Sequence, residues 1–175
     1  MAFLNIEIKA KCDHILLVRE YLLAHHARFV GIDEQTDTYF DVAAGRLKLR
    51  EGNIENNLIY YKRQNQAGPK ESHFTLVRIE DAAGLKEVLS QSTGIKVVVH
   101  KKREIYYIDN VKFHIDEVPS LGSFIEIEAG NRFAEQMTLE QLKAQCEFYL
   151  EAFGISPGEL MEESYSDMLL KDITG

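Results

Sequence analysis

With 175 residues, 45% of them hydrophobic and 27% charged, the chain has the make-up of one globular domain, large enough to bury a core without staples. No apolar run reaches the roughly 20 residues that span a bilayer, and the start, MAFLNIEIKAK, lacks the regions of a secretory signal, so a cytoplasmic protein is expected. A net charge of −8 argues against nucleic acid or an acidic membrane surface as partner; an anionic ligand would need a local, enclosed cluster of Lys and Arg.

Residues 3 to 12 alternate as a strand does. Asn5, Glu7, Lys9 and Lys11 fall on one side, Ile6, Ile8 and Ala10 on the other. Asp13 offers an N-cap for a helix with apolar residues at Ile15, Leu16, Val18, Leu22 and Leu23. His25 and His26 end it; adjacent helical positions diverge by about 100° and make a poor metal pair. Residues 28 to 40 are extended and end in QTDTYF. Strands RLKLRE, LIYYKRQ and SHFTLVRIE follow, separated by the turns GNIENN and NQAGPK. Asp81 opens a second helix, closed by Gly94. KVVVHKKREIYYID is a long strand, NV a tight turn, and KFHIDEV and FIEIEAG are strands joined by PSLGS, where Gly122 supplies turn angles that other residues resist. Residues 133 to 153 read as a long amphipathic helix, GISPGEL breaks it, and SYSDMLL closes the chain. Cys12 and Cys146 are expected to be reduced, structural thiols. About eight strands and three main helices with short connections suggest an α+β fold, an antiparallel sheet with helices packed on one side, and that many strands invite closure into a barrel, which would remove exposed edges.

Charge recurs with period two. Arg46, Lys48 and Arg50 share a face; so do Tyr60, Lys62 and Gln64, with Arg63 opposite. Lys101 and Arg103 oppose Lys102 and Glu104. Lys112, His114 and Asp116 share a face, as do Phe124, Glu126 and Glu128; the facing of Arg78 is open. Bases dominate some strands and carboxylates others, whereas a solvent-facing sheet would pair opposite charges across neighbours. Either these faces are wet, or they line a common interior. An interior row of cations needs an anion, for which a chain of phosphates is apt. An interior group of carboxylates needs a hard cation such as Mg²⁺ or Mn²⁺. The pattern alone leaves both readings open.

The motifs NIEIKAK, QTDTYF, GRLKLRE, IYYKRQ, KKREIY, HIDEVPSLGSFIEIE and the terminal SYSDML resemble, in order, those of the CYTH family, or triphosphate tunnel metalloenzymes. QTDTYF and DEVPSLGSFIEIE look most like its class IV adenylate cyclase branch; thiamine triphosphatases belong to the same family. The resemblance covers nearly the whole chain, taken as one domain of residues 1 to 175. It implies an eight-stranded barrel whose interior binds a triphosphate and Mg²⁺ or Mn²⁺. By position, it implies a metal site of Glu7, Asp116, Glu126 and Glu128, and phosphate contacts from Lys9, Lys11, Lys48, Arg50, Lys62, Arg78, Lys101 and Arg103. Lys9, Arg50 and Arg103 would be the catalytic cations. His114 reads as a hydrogen-bonding filler, and the aromatics at 39 to 40 and 106 to 107 as wall and core.

Asn5 stands where the family has its first glutamate, and so removes a charge from the metal site. The implied function is ATP cyclisation to cyclic AMP and pyrophosphate, or triphosphate hydrolysis. A binding module that has lost activity through Asn5 is the alternative. The expected partner is ATP, thiamine triphosphate or tripolyphosphate, with no nucleic acid or membrane; a homodimer is left open.

Overall fold

The structure, a computed structural model, describes residues 3–62, 65–131 and 136–174. Among these, eight strands form a closed antiparallel barrel: β1 (Phe3–Lys11), β2 (Arg28–Phe40), β3 (Arg46–Glu51), β4 (Asn57–Lys62), β5 (Lys70–Arg78), β6 (Ile95–Ile108), β7 (Val111–Val118) and β8 (Gly122–Gly130). Around the barrel the order is β1, β5, β4, β3, β2, β6, β7, β8, and β8 pairs back to β1. Helices α1 (Ile15–Ala24), α2 (Ala82–Ser92), α3 (Leu139–Ala152) and α4 (Tyr165–Thr174) lie outside the sheet. The expected fold class is the one found.

The period-two pattern decides which side of each strand is apolar. Ile6 and Ile8 of β1, Phe113 and Ile115 of β7, and Ile125 and Ile127 of β8 turn outward into a core that Val18 and Leu22 of α1 and Leu142 and Cys146 of α3 complete. Each such side chain contributes about 1.5–3 kcal/mol by leaving water, which holds the two helices to this half of the barrel. A second cluster, with Tyr39, Tyr61, Val99, Phe124 and Tyr165, has Met168 and Leu169 of α4 packed against it. Cys12 and Cys146 are buried free thiols. Among the described residues no helix is long and apolar enough to cross a membrane.

Local detail departs from expectation in four places. Helix α1 is preceded by His14, with no side-chain cap, rather than capped by Asp13. The hairpin turn is Asp109–Asn110, one residue earlier than NV, with Asp109 at φ +50°. Helix α3 starts after Thr138, whose capping box with Gln141 satisfies the first amides; the part of the expected helix at 133–135 lies outside the described residues, as do Arg63 and Gln64. SYSDMLL is helical: Ser164 Oγ accepts from Asp167 N at 3.2 Å, and Ser164 N donates to Asp167 Oδ2 at 3.2 Å. That reciprocal cap was written in the spacing of Ser164 and Asp167. Asp81 does cap α2, accepting from Gly84 N at 2.9 Å, and Gly122 takes φ +106°.

Candidate active site inside the barrel

The inward side chains enclose a polar cavity of about 450 Å³. Asn5, Glu7 and Lys9 reach it from β1, Lys48 and Arg50 from β3, Arg78 from β5, Lys101 and Arg103 from β6, and Glu126 and Glu128 from β8. The polar faces of these strands therefore point inward, and the outward Lys102 and Glu104 serve elsewhere: Glu104 takes both Nε and Nη2 of Arg19 on α1, at 3.0 and 2.6 Å.

Two ionic centres organise the wall. In the first, Asp37 of β2 is fully buried and accepts from Arg50 Nε and Nη2, both at 2.8 Å, from Lys101 Nζ at 2.8 Å and from Lys48 Nζ at 3.1 Å. Burial alone would raise its pKa, but Arg50, Lys101 and Lys48 hold it well below the usual carboxylate range. Three cations around one carboxylate leave an excess of positive charge. Lys101 registers it: burial, only partly offset by Asp37 and reinforced by Arg50, Arg103 and Lys48, brings its pKa down to about 7.

The second centre has the opposite balance. Arg103 forks onto Asp116 at 2.7 and 2.6 Å and reaches Glu126 Oε2 at 2.8 Å, while Lys9 Nζ lies 3.0 Å from Glu126 Oε1. Burial would raise the Glu126 pKa; Lys9, Arg103 and His114 hold it well below the carboxylate range. His114 is buried, with Nδ1 3.1 Å from Glu126 Oε2 and 3.7 Å from Glu128 Oε1. Burial, with Arg103 and Lys112, lowers its pKa and favours the neutral ring. The ligand-type atoms of His114, Glu126 and Glu128 all lie within 4.8 Å of one another, and Glu7 faces Glu128 across the β1–β8 pairing.

The cavity is closed at one end. Lys70 Nζ donates to the carbonyls of Met161 and Glu162 at 2.8 and 2.9 Å, and Met161 N donates to Lys9 O at 2.8 Å. Tyr165, the first residue of α4, packs on Phe124, donates to Asp116 Oδ2 at 2.8 Å and places its ring 3.6 Å from Lys9 Nζ. Arg78, exposed at the far end of β5, and Gly130, at the far end of β8, mark the open mouth.

Most of the expected residues are brought together, but three are not placed as expected. Lys62 is exposed on the outer face, because β4 turns Asn57, Ile59 and Tyr61 inward and so has the opposite parity. Lys11, past Lys9 at the end of β1, is exposed and does not line the cavity. Asp116 is occupied by Arg103 and Tyr165 and is not one of the His114–Glu126–Glu128 group of converging ligand-type atoms.

Sequence reasoning missed Asp37, Glu55 and Tyr165, and placed Lys112 on the polar face of β7 without giving it a role. Asp37 shares a strand face with Gln35 and Tyr39, so the parity of QTDTYF could have found it. Charge is thus less sorted by strand than it looked, since β2 sets a carboxylate among the bases. Glu55 lies in a turn, where no periodicity points inward.

The sequence profile of the CYTH domain matches residues 4–165. The chain belongs to the CYTH domain family. A Methanocaldococcus jannaschii protein whose name proposes an adenylate cyclase is 26% identical over 94% of this chain and 98% of its own length. The PH1012 protein of Pyrococcus horikoshii has a solved structure with TM-score 0.80 and 23% identity, covering 93% of this chain and 98% of that one. A Vibrio parahaemolyticus protein, also named provisionally as an adenylate cyclase, superposes with TM-score 0.78 at 14% identity, over 94% and 97% of the two chains. At these identities the structures establish that the CYTH barrel is shared, and the chemistry is argued from the side chains inside it.

Proposed function

We propose that this CYTH barrel is a metal-dependent enzyme that binds a triphosphate in its cavity and breaks one of its P–O bonds. The observation that carries the reading is the convergence of Lys48, Arg50 and Lys101 on the single carboxylate of Asp37. A buried surplus of cations is stable only beside an anion, and a phosphate chain accepts hydrogen bonds from Arg forks and Lys ammonium groups alike. Arg103 and Lys9 stand next to this group and would complete the contacts. Lys9, Arg50 and Arg103 would act by neutralising charge that builds on the phosphates as the bond breaks.

Two carboxylates and a neutral imidazole whose Nδ1 lies 3.1 Å from Glu126 Oε2 and 3.7 Å from Glu128 Oε1 fit a divalent ion. Glu126, Glu128 and His114 would hold Mg²⁺ or Mn²⁺, with Glu7 alongside. When bound, the ion would supply a hard positive charge that offsets the charge on the phosphates. Asn5 lines the cavity beside this group and brings a carbonyl in place of a charge.

The names of the relatives favour cyclisation of ATP, in which the ribose 3′-hydroxyl attacks the α-phosphorus and pyrophosphate leaves. Attack by water at the terminal phosphorus would instead give a diphosphate and phosphate. The two buried free thiols accord with a reducing, cytoplasmic setting. The deciding experiment is product analysis with ATP, thiamine triphosphate and tripolyphosphate, with Mg²⁺ or Mn²⁺, beside the thermal shift each produces. Cyclic AMP with pyrophosphate supports the cyclase and phosphate release the hydrolase. Binding without turnover reduces the protein to a binding module, and no shift from any triphosphate overturns the whole reading. Glu126→Gln should abolish metal-dependent turnover while tripolyphosphate still binds.

A further inference from the structure

One carboxylate in the cavity does not come from a strand. Glu55 sits in the turn between β3 and β4. Its Oε2 accepts from Arg50 Nη1 at 2.8 Å and its Oε1 from Lys112 Nζ at 2.5 Å. It therefore bridges cations from β3 and β7, which are not neighbours in the barrel. Burial alone would raise its pKa, but Lys112 and Arg50 hold it well below the carboxylate range, so it is a full charge at neutral pH.

The turn is fixed from behind. Asp33 of β2, fully buried, accepts from Ile54 N at 2.8 Å, Glu55 N at 3.0 Å and Gln35 Nε2 at 2.7 Å. Glycine is needed at 52, where a Cβ would come within 2.5 Å of Asp33 Oδ1. Asn53 adds a second clamp on β2, accepting from Glu34 N at 2.7 Å and donating to Ile32 O at 3.0 Å. Two clamps on one turn aim one carboxylate at two cavity cations.

We propose that Glu55 is a built-in stand-in for a phosphate, which the substrate must displace, and that it thereby sets how much charge an anion needs to enter. Asp33 is its positioning residue. The proposal rests on the triphosphate reading above. A singly charged anion that takes Arg50 and Lys112 from Glu55 only exchanges one carboxylate-like contact for another. A polyphosphate also reaches Lys48 and Lys101, so its extra charge-assisted hydrogen bonds exceed what Glu55 gives up. The side chain of Glu55 is 19% exposed, against 1% for Asp37, so it has room to turn toward solvent where Asp37 has none.

The test is calorimetry on wild type and on the near-isosteric Glu55→Gln, in chelator, with tripolyphosphate, pyrophosphate and inorganic phosphate as probes. Glu55→Gln should bind tripolyphosphate about tenfold more tightly. It should bring pyrophosphate toward the affinity that wild type reaches with tripolyphosphate. Asp33→Asn should give part of the same gain, and the double variant no more than Glu55→Gln alone, the signature of one residue acting through the other. Equal or weaker binding by Glu55→Gln overturns the Glu55 proposal and leaves the triphosphate reading standing; no binding to either protein overturns both. If the variant fails to fold, carbon NMR of the wild-type Glu55 carboxyl decides. Its resonance should move when tripolyphosphate binds, and an unmoved resonance in the saturated protein overturns the proposal.

Discussion

The two ionic centres in the barrel are near mirror images. Around Asp37, one carboxylate is shared by Arg50, Lys48 and Lys101. Around Arg103, one guanidinium is shared by Asp116 and Glu126, with Glu128 close behind through His114. Both sit on strands of the same alternating design, and both have a nearly fully buried hub, Asp37 in one and Arg103 in the other. The difference is the sign left over: cations are in surplus at the first and carboxylates at the second. A ligand with phosphate and metal would satisfy both at once, which neither inorganic phosphate nor a metal alone can do.

That comparison breaks most visibly if each hub is removed. Arg103→Ala leaves Asp116 and Glu126 buried without their main counter-charge. It should cost about 3–5 kcal/mol, or roughly 6–20 °C in Tm, in thermal unfolding. Asp37→Asn leaves cations instead, at a cost of about 3 kcal/mol, the lower end of the same range. Tripolyphosphate should restore most of the Tm of Asp37→Asn and little of that of Arg103→Ala. Equal rescue of both would mean that the first centre has no special claim on anions.

Titration sharpens the contrast with a smaller effect. Asp37 and Glu126 have depressed pKa values in the folded state, so their contribution is full above the unfolded carboxylate values of about 4 and is lost as pH falls below them. Urea midpoints should therefore drop steeply below about pH 4. Lys101 changes stability with pH in the same direction, but as a penalty that is relieved, and in a higher pH window. Its pKa of about 7 lies below that of an unfolded lysine, so its penalty is full below pH 7 and is relieved as pH rises from there toward about 10.4. A polyphosphate placed beside Lys101 should raise that pKa. Binding at pH 8 should then take up close to one proton, read from the buffer dependence of the calorimetric enthalpy, and Lys101→Met should abolish the uptake.

The smallest effects test placement. Lys48→Ala should weaken tripolyphosphate binding about tenfold, whereas Lys62→Ala, on the outer face, should leave the Kd within about twofold. Asn5→Glu should tighten Mn²⁺ binding in the absence of any phosphate, since it adds a carboxylate to the end of the cavity where Glu7 and Glu128 face each other.

Alternation in β1, β3, β7 and β8 was enough to assign Glu7, Lys9, Lys48, Arg50, His114, Glu126 and Glu128 to one side of the sheet, because strand side chains point to opposite faces in turn. The number of strands and the short connections implied the barrel, and the apolar row at Ile6, Ile8, Phe113, Ile115, Ile125 and Ile127 implied where helices pack. For β4 the same rule went astray. Tyr60 and Lys62 look polar enough to face the interior, and parity is relative until pairing with neighbours sets its absolute sense. Only the closed structure decided which face is inside, that Asp37 would meet Arg50 across β2 and β3, and that Asp116 would be taken by Arg103 and Tyr165. Only it could bring Glu55 from a turn to Lys112, 57 residues away. Strand periodicity is a local property of a few consecutive residues, whereas a partner across the barrel is set by register, closure and turn clamping.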